Sequence, residues 1–246
     1  MRLRRREGRV TTPDPLLRLS GVVKDYQALR PLRLASLELA PGDVVSVSGI
    51  DAQGAEVLVN LMTGAMLPDA GRIHLFGHAT DAIADYEGWL QMLDGLGLLT
   101  ERAVLLDQCS VAQNLALPLT IQIDPIADTA WPGVRALAEE TGIVSAALET
   151  LVRDAAPELV QRVRLARALA FGPRLLVAEH PTASLPRPAV EALARDLASI
   201  AARRGLAVLA ISADREFTRA LGGAQLTLDA ATGALSRPGF LSRLLR

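Results

Sequence analysis

Between Ser48 and Val57 the chain reads SGIDAQGAEV, with Gly49 and Gly54 separated by four residues. Glycines at this spacing between an apolar strand and a helix let backbone N–H groups converge on phosphate oxygens, helped by the positive end of the helix. That chemistry also asks for a lysine next to the second glycine and then a Ser or Thr to hold magnesium. Here Ala55 and Glu56 stand in those places, and Asp51 adds a carboxylate inside the loop. Strand-to-helix turns use glycine for its own sake, so the spacing by itself reads as a turn. Glu56 and Asp51 could instead offer their own anion to the unpaired N–H groups of the helix start, leaving the loop self-filled. Elsewhere, His180 in AEHP could act as a base or simply cap a strand end. His74 and His78 lie too far from other ligand types to suggest a metal site, and Cys109 in DQCSV reads as packing or loop.

The elements that position these residues follow from periodicity. DVVSVSG (43–49), RLLVA (174–178) and LAVLAIS (206–212) are apolar runs without alternation, the mark of parallel strands buried on both faces. A helical pattern follows each: Val57, Leu58, Leu61 and Met62 on one face, then Val190, Leu193, Leu197 and Ile200, then a shorter helix from about Asp214. LLRLSG (16–21), LRLASLEL (32–39) and GRIHLFG (71–77) alternate and predict an antiparallel edge sheet. From about 107 to 171 the pattern is nearly all helix, through SVAQNLALPL, VRALAEETGI, VSAALETLV and PELVQRVRLARALA. Strands resume at Arg174, so this reads as a helical subdomain inserted in an α/β core within one domain, 15–246.

Composition narrows the function. The 26 basic and 27 acidic side chains nearly cancel, and aromatics make up 3% of the chain, which argues against nucleic acid as a partner. No apolar run reaches the roughly 18 residues that span a bilayer. The single cysteine excludes an intrachain disulfide and a cysteine-rich zinc site, and no secretory signal is evident, which fits a cytosolic protein. Five arginines fall in the first ten residues. Residues 1–14 therefore read as a basic tail, either solvated or meeting an anionic membrane surface.

Taken in order, the motifs resemble those of ABC transporter ATP-binding subunits from Leu16 to about Leu228. The carrying segments are VVKDY, LMTGAMLPDAGRIHLFG, SVAQNLALPL and QRVRLARALAFGPRLLVAEHPTASL. The last of these is most similar to the lipid and lipoprotein transport group. The resemblance implies an α/β P-loop NTPase core with ATP and Mg²⁺ as ligands, a head-to-tail dimer, and membrane subunits as partners on the inner face of the cell membrane. It places Tyr26 at the adenine-stacking aromatic, Ala55 at the phosphate lysine and Glu56 at the magnesium-binding hydroxyl. The glutamine that senses magnesium falls at Glu101, the signature LSGG at Ala155 to Glu158, and the strand-end aspartate at Glu179. His180 stands for the catalytic Glu, Pro186 for the following loop aspartate, and Ala213 for the switch histidine. These replacements predict a catalytically inactive subunit with no functional cofactor, paired with itself or with an intact paralogue. The competing expectation is an active ATPase whose departures are tolerated, and a third is a soluble regulator. Leu105, Leu106, Val111 and Leu115 fall in the segment that meets membrane subunits in the family, and are the expected partner interface.

Overall fold

The structure, a computed structural model, describes residues 14–83 and 85–237. The basic-tail reading of the N-terminus falls on residues that lie almost wholly outside that range. The chain opens with β1 (Leu17–Lys24) and β2 (Leu32–Leu39), which pair antiparallel from Leu17↔Leu39 to Lys24↔Leu32. β3 (Val44–Ser48) and α1 (Ala52–Met62) follow, then β4 (Ala70–Leu75), which closes on the other side of β1, and the short β5 (His78–Ala79). The inward residues Leu17, Leu19, Leu34, Leu39, Ile73 and Leu75 of this small sheet pack against Leu58, Leu61 and Met62 of α1 in one apolar cluster. Alternation thus buried one face of each strand, as a half-exposed sheet requires.

After α2 (Tyr86–Asp94) come β6 (Leu96–Leu99), three helices and β7 (Leu175–Glu179). The helices are α3 (Val111–Ala116), α4 (Trp131–Glu140) and α5 (Pro157–Leu169). The chain ends with α6 (Arg187–Arg204), β8 (Ala207–Ile211), α7 (Arg215–Leu221), β9 (Ala224–Leu228) and β10 (Leu235–Ser236). The large sheet has the order β10-β9-β3-β8-β7-β6, parallel except for β10. All five residues of β7 and all five of β8 are buried, which explains why neither run alternates.

The register Val47↔Ile211 and Ile211↔Glu179 aligns the carboxyl ends of β3, β8 and β7. The loops after them, at 49–51, 212–214 and 180–186, therefore open on one edge of the sheet, joined there by the segment after β6. Open α/β sheets bind ligands at such an edge.

The three helices between β6 and β7 enclose their own core, with Val111, Leu115, Val134, Leu137 and Val163 at its centre. The helix expected over VSAALETLV does not form. Two 3₁₀ turns, Ser145–Ala147 and Val152–Asp154, stand there instead. Their neighbours' carbonyls are needed elsewhere: the N–H of Val111 donates to Thr150 at 2.9 Å and that of Ala112 to Leu148 at 2.9 Å. Those are first-turn donors of α3 with no partner inside the helix, and an extended segment serves them where a helix would use its carbonyls internally. The elements α2, β6, β9 and β10 were not anticipated from the sequence.

Candidate functional site

The glycine loop is shorter than its spacing suggests. α1 already begins at Ala52, so Ala52, Gln53 and Gly54 are wound into its first turn. Asp51 is the N-cap, in extended backbone, and its Oδ1 accepts from the N–H of Gly54 at 2.7 Å. The N–H of Ala55 donates to the Asp51 carbonyl at 2.9 Å. Two donors that a phosphate would want are therefore in use within the loop. Ala55 is 0% exposed and belongs to the core between the two sheets, so its side-chain direction is away from the cleft. Gly49 is held at φ +89°, and a Cβ there would sit 2.8 Å from the Leu228 carbonyl oxygen.

Glu56 faces the other way, into a cleft of about 630 Å³ also lined by Thr100, Glu101, Arg102, Glu179, His180, Ala213 and Asp214. Of the expected site residues, the cleft brings together Glu56, Glu101, Glu179, His180 and Ala213. It also holds one that the sequence reading passed over. Arg102 donates from Nη2 to Glu179 Oε2 at 2.6 Å and pairs through Nη1 with Glu56 Oε1 at 3.0 Å. Only the pattern GLLTERAVLL, an arginine beside the residue matched to the magnesium-sensing glutamine, could have pointed to it. So Glu56 does not fill the loop, as one form of the self-filled expectation had it, because a guanidinium draws it into the cleft; Asp51 alone reaches the loop's amides. His180 has a left-handed backbone, φ +41°, while its N–H extends the pairing of β7 by donating to Ile211 at 2.9 Å. Its Nε2 is buried without a hydrogen-bond partner among the described residues. Asp214 caps α7 through the N–H groups of Glu216 and Phe217 and pairs with Arg187 at 2.9 Å.

On the opposite side of the loop lies a pocket of about 220 Å³ lined by Tyr26, Arg30, Arg33, Gly49, Asp51, Gly54 and Leu228, among others. Tyr26 stands over the start of α1, its hydroxyl 3.4 Å from where a Gly54 Cβ would be. Burial, and then the Asp51 carboxylate, push the Tyr26 phenol above its ordinary pKa.

Comparison with known proteins places this arrangement. The sequence pattern of the ABC transporter family matches residues 32–183, more than half of the chain. The chain belongs to the ABC transporter family. Among curated relatives, the methionine import ATP-binding protein 2 of Burkholderia mallei is 31% identical over 195 residues, covering 77% of this chain and 47% of the relative. The ribose import ATP-binding protein of Jannaschia sp. is 28% identical over 211 residues, covering 81% of this chain and 38% of the relative. The chain thus spans less than two thirds of the length of these relatives. Among solved structures, CbiO1 of Clostridium perfringens, part of the ABC transporter complex CbiONQ, superimposes with a TM-score of 0.76 at 16% identity, covering 94% of this chain and 91% of that one. A dimeric bacterial ABC transporter cassette gives 0.74 at 20% identity, covering 91% and 100%. At these identities the structures establish the fold, an α/β ABC cassette.

Within the cassette, the positions matched to the signature form the bare start of α5. Ala156 is its N-cap without a side-chain hydrogen bond, Pro157 occupies the first turn and lacks an N–H, and Glu158 adds a carboxylate. The four residues expected at the partner interface divide. Val111 and Leu115 are 0% exposed, at the centre of the helical core, and do not present themselves to a partner; the resemblance assigned the whole segment to the interface without separating its core-facing residues. Leu105 packs partly against the same core. Leu106 is 39% exposed, and Val104, at 76%, and Ile121, fully exposed, are apolar surface that the sequence reading did not select.

Proposed function

We propose that this chain is a cassette subunit of a membrane transport complex that acts as a structural or regulatory partner and does not hydrolyse ATP. Residues 15–246 then form one cassette domain with the helical part, about 107–171, inserted. The observation that carries the reading is the closed phosphate loop: α1 starts at Ala52, Asp51 caps it, and Ala55 is buried. Magnesium and ATP, the ligands of the family, do not fit these residues. A phosphate at the loop would meet the Asp51 carboxylate with no lysine to offset it, and the cation nearest the cleft, Arg102, is already paired with Glu56 and Glu179. At an effective dielectric near 20, one such like-charge pair about 4 Å apart costs on the order of 4 kcal/mol, roughly a thousandfold in affinity. The Pro157–Glu158 start of α5 makes an equally poor donor for a second copy's nucleotide.

Membership of the transporter family, and relatives named for import, support the transport context and a place on the inner face of the membrane against membrane subunits, paired with a second copy or an intact paralogue. A lipid or lipoprotein cargo rests on the resemblance of AEHPTASL alone; the relatives are named for ribose and methionine.

Thermal melting with and without Mg-ATP tests the reading. A ligand at 100 times its Kd adds about 2.7 kcal/mol, or about 5–10 °C for a chain of this size. The expected shift is under about 1 °C at millimolar Mg-ATP. A shift of several degrees, with phosphate release, would instead make the chain an active ATPase subunit. Recovery with membrane subunits from detergent extracts supports the partner role, and recovery in soluble fractions alone would replace it with a free regulator.

A further inference from the structure

A single positive charge joins three separate stretches of the chain. Arg102 sits just after β6, Glu56 lies in the first turns of α1, and Glu179 ends β7. The Arg102 guanidinium contacts both carboxylates, at 3.0 Å and 2.6 Å. The Glu179 side chain is 9% exposed, so water cannot stand in for that partner. Arginine suits this position because it stays charged and its planar fork can serve two carboxylates in different directions.

The same segment is tied at its far end to the helical part. The Val104 carbonyl accepts from Arg167 Nη1 of α5 at 2.7 Å. The side chain of Asn114, fully buried on α3, takes both the N–H and the carbonyl of Leu106, at 2.8 Å and 2.9 Å. Residues 102–106 therefore form a strap, with one end in the cleft of the large sheet and the other in the helices.

We propose that the cleft is a cation site occupied by the chain's own Arg102, which fixes the strap to the large sheet with no ligand bound. The guanidinium takes the position between Glu56 and Glu179 that a soluble cation would otherwise take. Removing it leaves two facing carboxylates, and a small divalent cation with oxygen ligands is the chemistry that restores them. The inference deepens the nucleotide-free reading of this site and rests on it.

The test is thermal melting of the full chain in EDTA and with millimolar Mn²⁺, without nucleotide. The wild type should melt at the same temperature in both. Arg102→Gln should fall by about 3–6 °C in EDTA and regain at least half of that with Mn²⁺, and the added change Glu56→Gln should abolish the regain. An Arg102→Gln protein within about 1 °C of wild type, a wild type stabilised by Mn²⁺, or an undiminished Mn²⁺ gain in the double variant would each overturn the proposal. Should Arg102→Gln not fold, Arg102→Lys carries the test, because an ammonium is a point charge without the guanidinium fork. It should lose about 1–3 °C and, with its own cation still between the carboxylates, gain nothing from Mn²⁺; a lysine variant that Mn²⁺ stabilises overturns the proposal. No nucleotide is present, so failure here leaves the ATP reading intact, whereas a Mg-ATP shift in the wild type would overturn that reading and with it the premise of this one.

Discussion

The pocket beside Tyr26 and the cleft beside Arg102 lie on two sides of the same loop, yet they have opposite characters. The pocket is lined by an aromatic ring, two glycines and the arginines Arg30 and Arg33, with Asp51 at its wall. The cleft carries Glu56, Glu101, Glu179 and Asp214 against, among the described residues, the single cation Arg102. Of the family-like residues that remain, Gly49 is the one the backbone demands: it has no room for a Cβ and a φ that only glycine adopts without strain. Where side chains would have done the chemistry, carboxylates and an arginine pair with each other. The glycines therefore report how the chain turns from β3 into α1, and say nothing of whether phosphate binds.

The two glycines can be set against each other. Gly49→Ala places a methyl 2.8 Å from the Leu228 carbonyl oxygen and forces φ +89° on an L-residue. It should destabilise by about 2–3 kcal/mol, a melting loss of about 5–10 °C. Gly54 is helical, and a Cβ there meets Asp51 Oδ1 and the Ile50 side chain at 3.1 Å. The gain in helix propensity, about 1 kcal/mol, offsets that tight contact, so Gly54→Ala should melt within about 2 °C of wild type. If Gly54→Ala proves the more damaging of the two, the loop is held by something other than its backbone, and the contrast fails.

How much of this the residues disclosed in advance depends on range. Strands such as Leu175–Glu179 and Ala207–Ile211 were readable because burial on both faces writes itself as an unbroken apolar run. The α/β scaffold and the placing of Glu179, His180 and Ala213 around one cleft followed from the motifs in order. The Arg102 bridge was not readable. It joins residues 46 and 77 positions away, and beyond its place next to Glu101 nothing local distinguishes this arginine from Arg153, paired with its own neighbour Asp154. Val111 and Leu115 turned out to be core for a related reason: the family resemblance marks a whole segment as an interface and does not say which of its residues face inward. The VSAALETLV segment failed because its carbonyls serve α3, a debt that no propensity records.

Asp51 is the hinge between pocket and cleft, since its side chain is what closes the loop. Asp51→Ala removes the N-cap bond to Gly54, which should cost about 1 kcal/mol, or about 2–4 °C of melting temperature. It also removes the carboxylate set against phosphate at the loop and frees an amide. The variant should still show no Mg-ATP shift beyond about 1 °C, because Ala55 remains buried and Glu56 remains in the cleft. A nucleotide shift that appears on this change alone would mean that the cap is the sole block, and that pocket and cleft still make one working site.

The smallest expected effect is spectroscopic and reads the pocket side by itself. The Tyr26 phenol lies above its ordinary pKa, chiefly through burial and secondarily through Asp51. The folded chain thus holds this proton more tightly than the unfolded chain does. The stability this contributes is fully present below the ordinary phenol pKa of about 10 and is lost as pH rises through the higher folded value. The other tyrosine, Tyr86, is 69% exposed, so Tyr86→Phe should clear the background at little cost. In that background, phenolate absorbance at 295 nm should show Tyr26 titrating above about 10. Asp51→Asn should lower the midpoint without returning it to the ordinary value, since burial is the larger cause. A midpoint that does not move on Asp51→Asn would place the carboxylate out of reach of the ring. The loop would then be open on the Tyr26 side, and the two sides of the site would differ less than their linings imply.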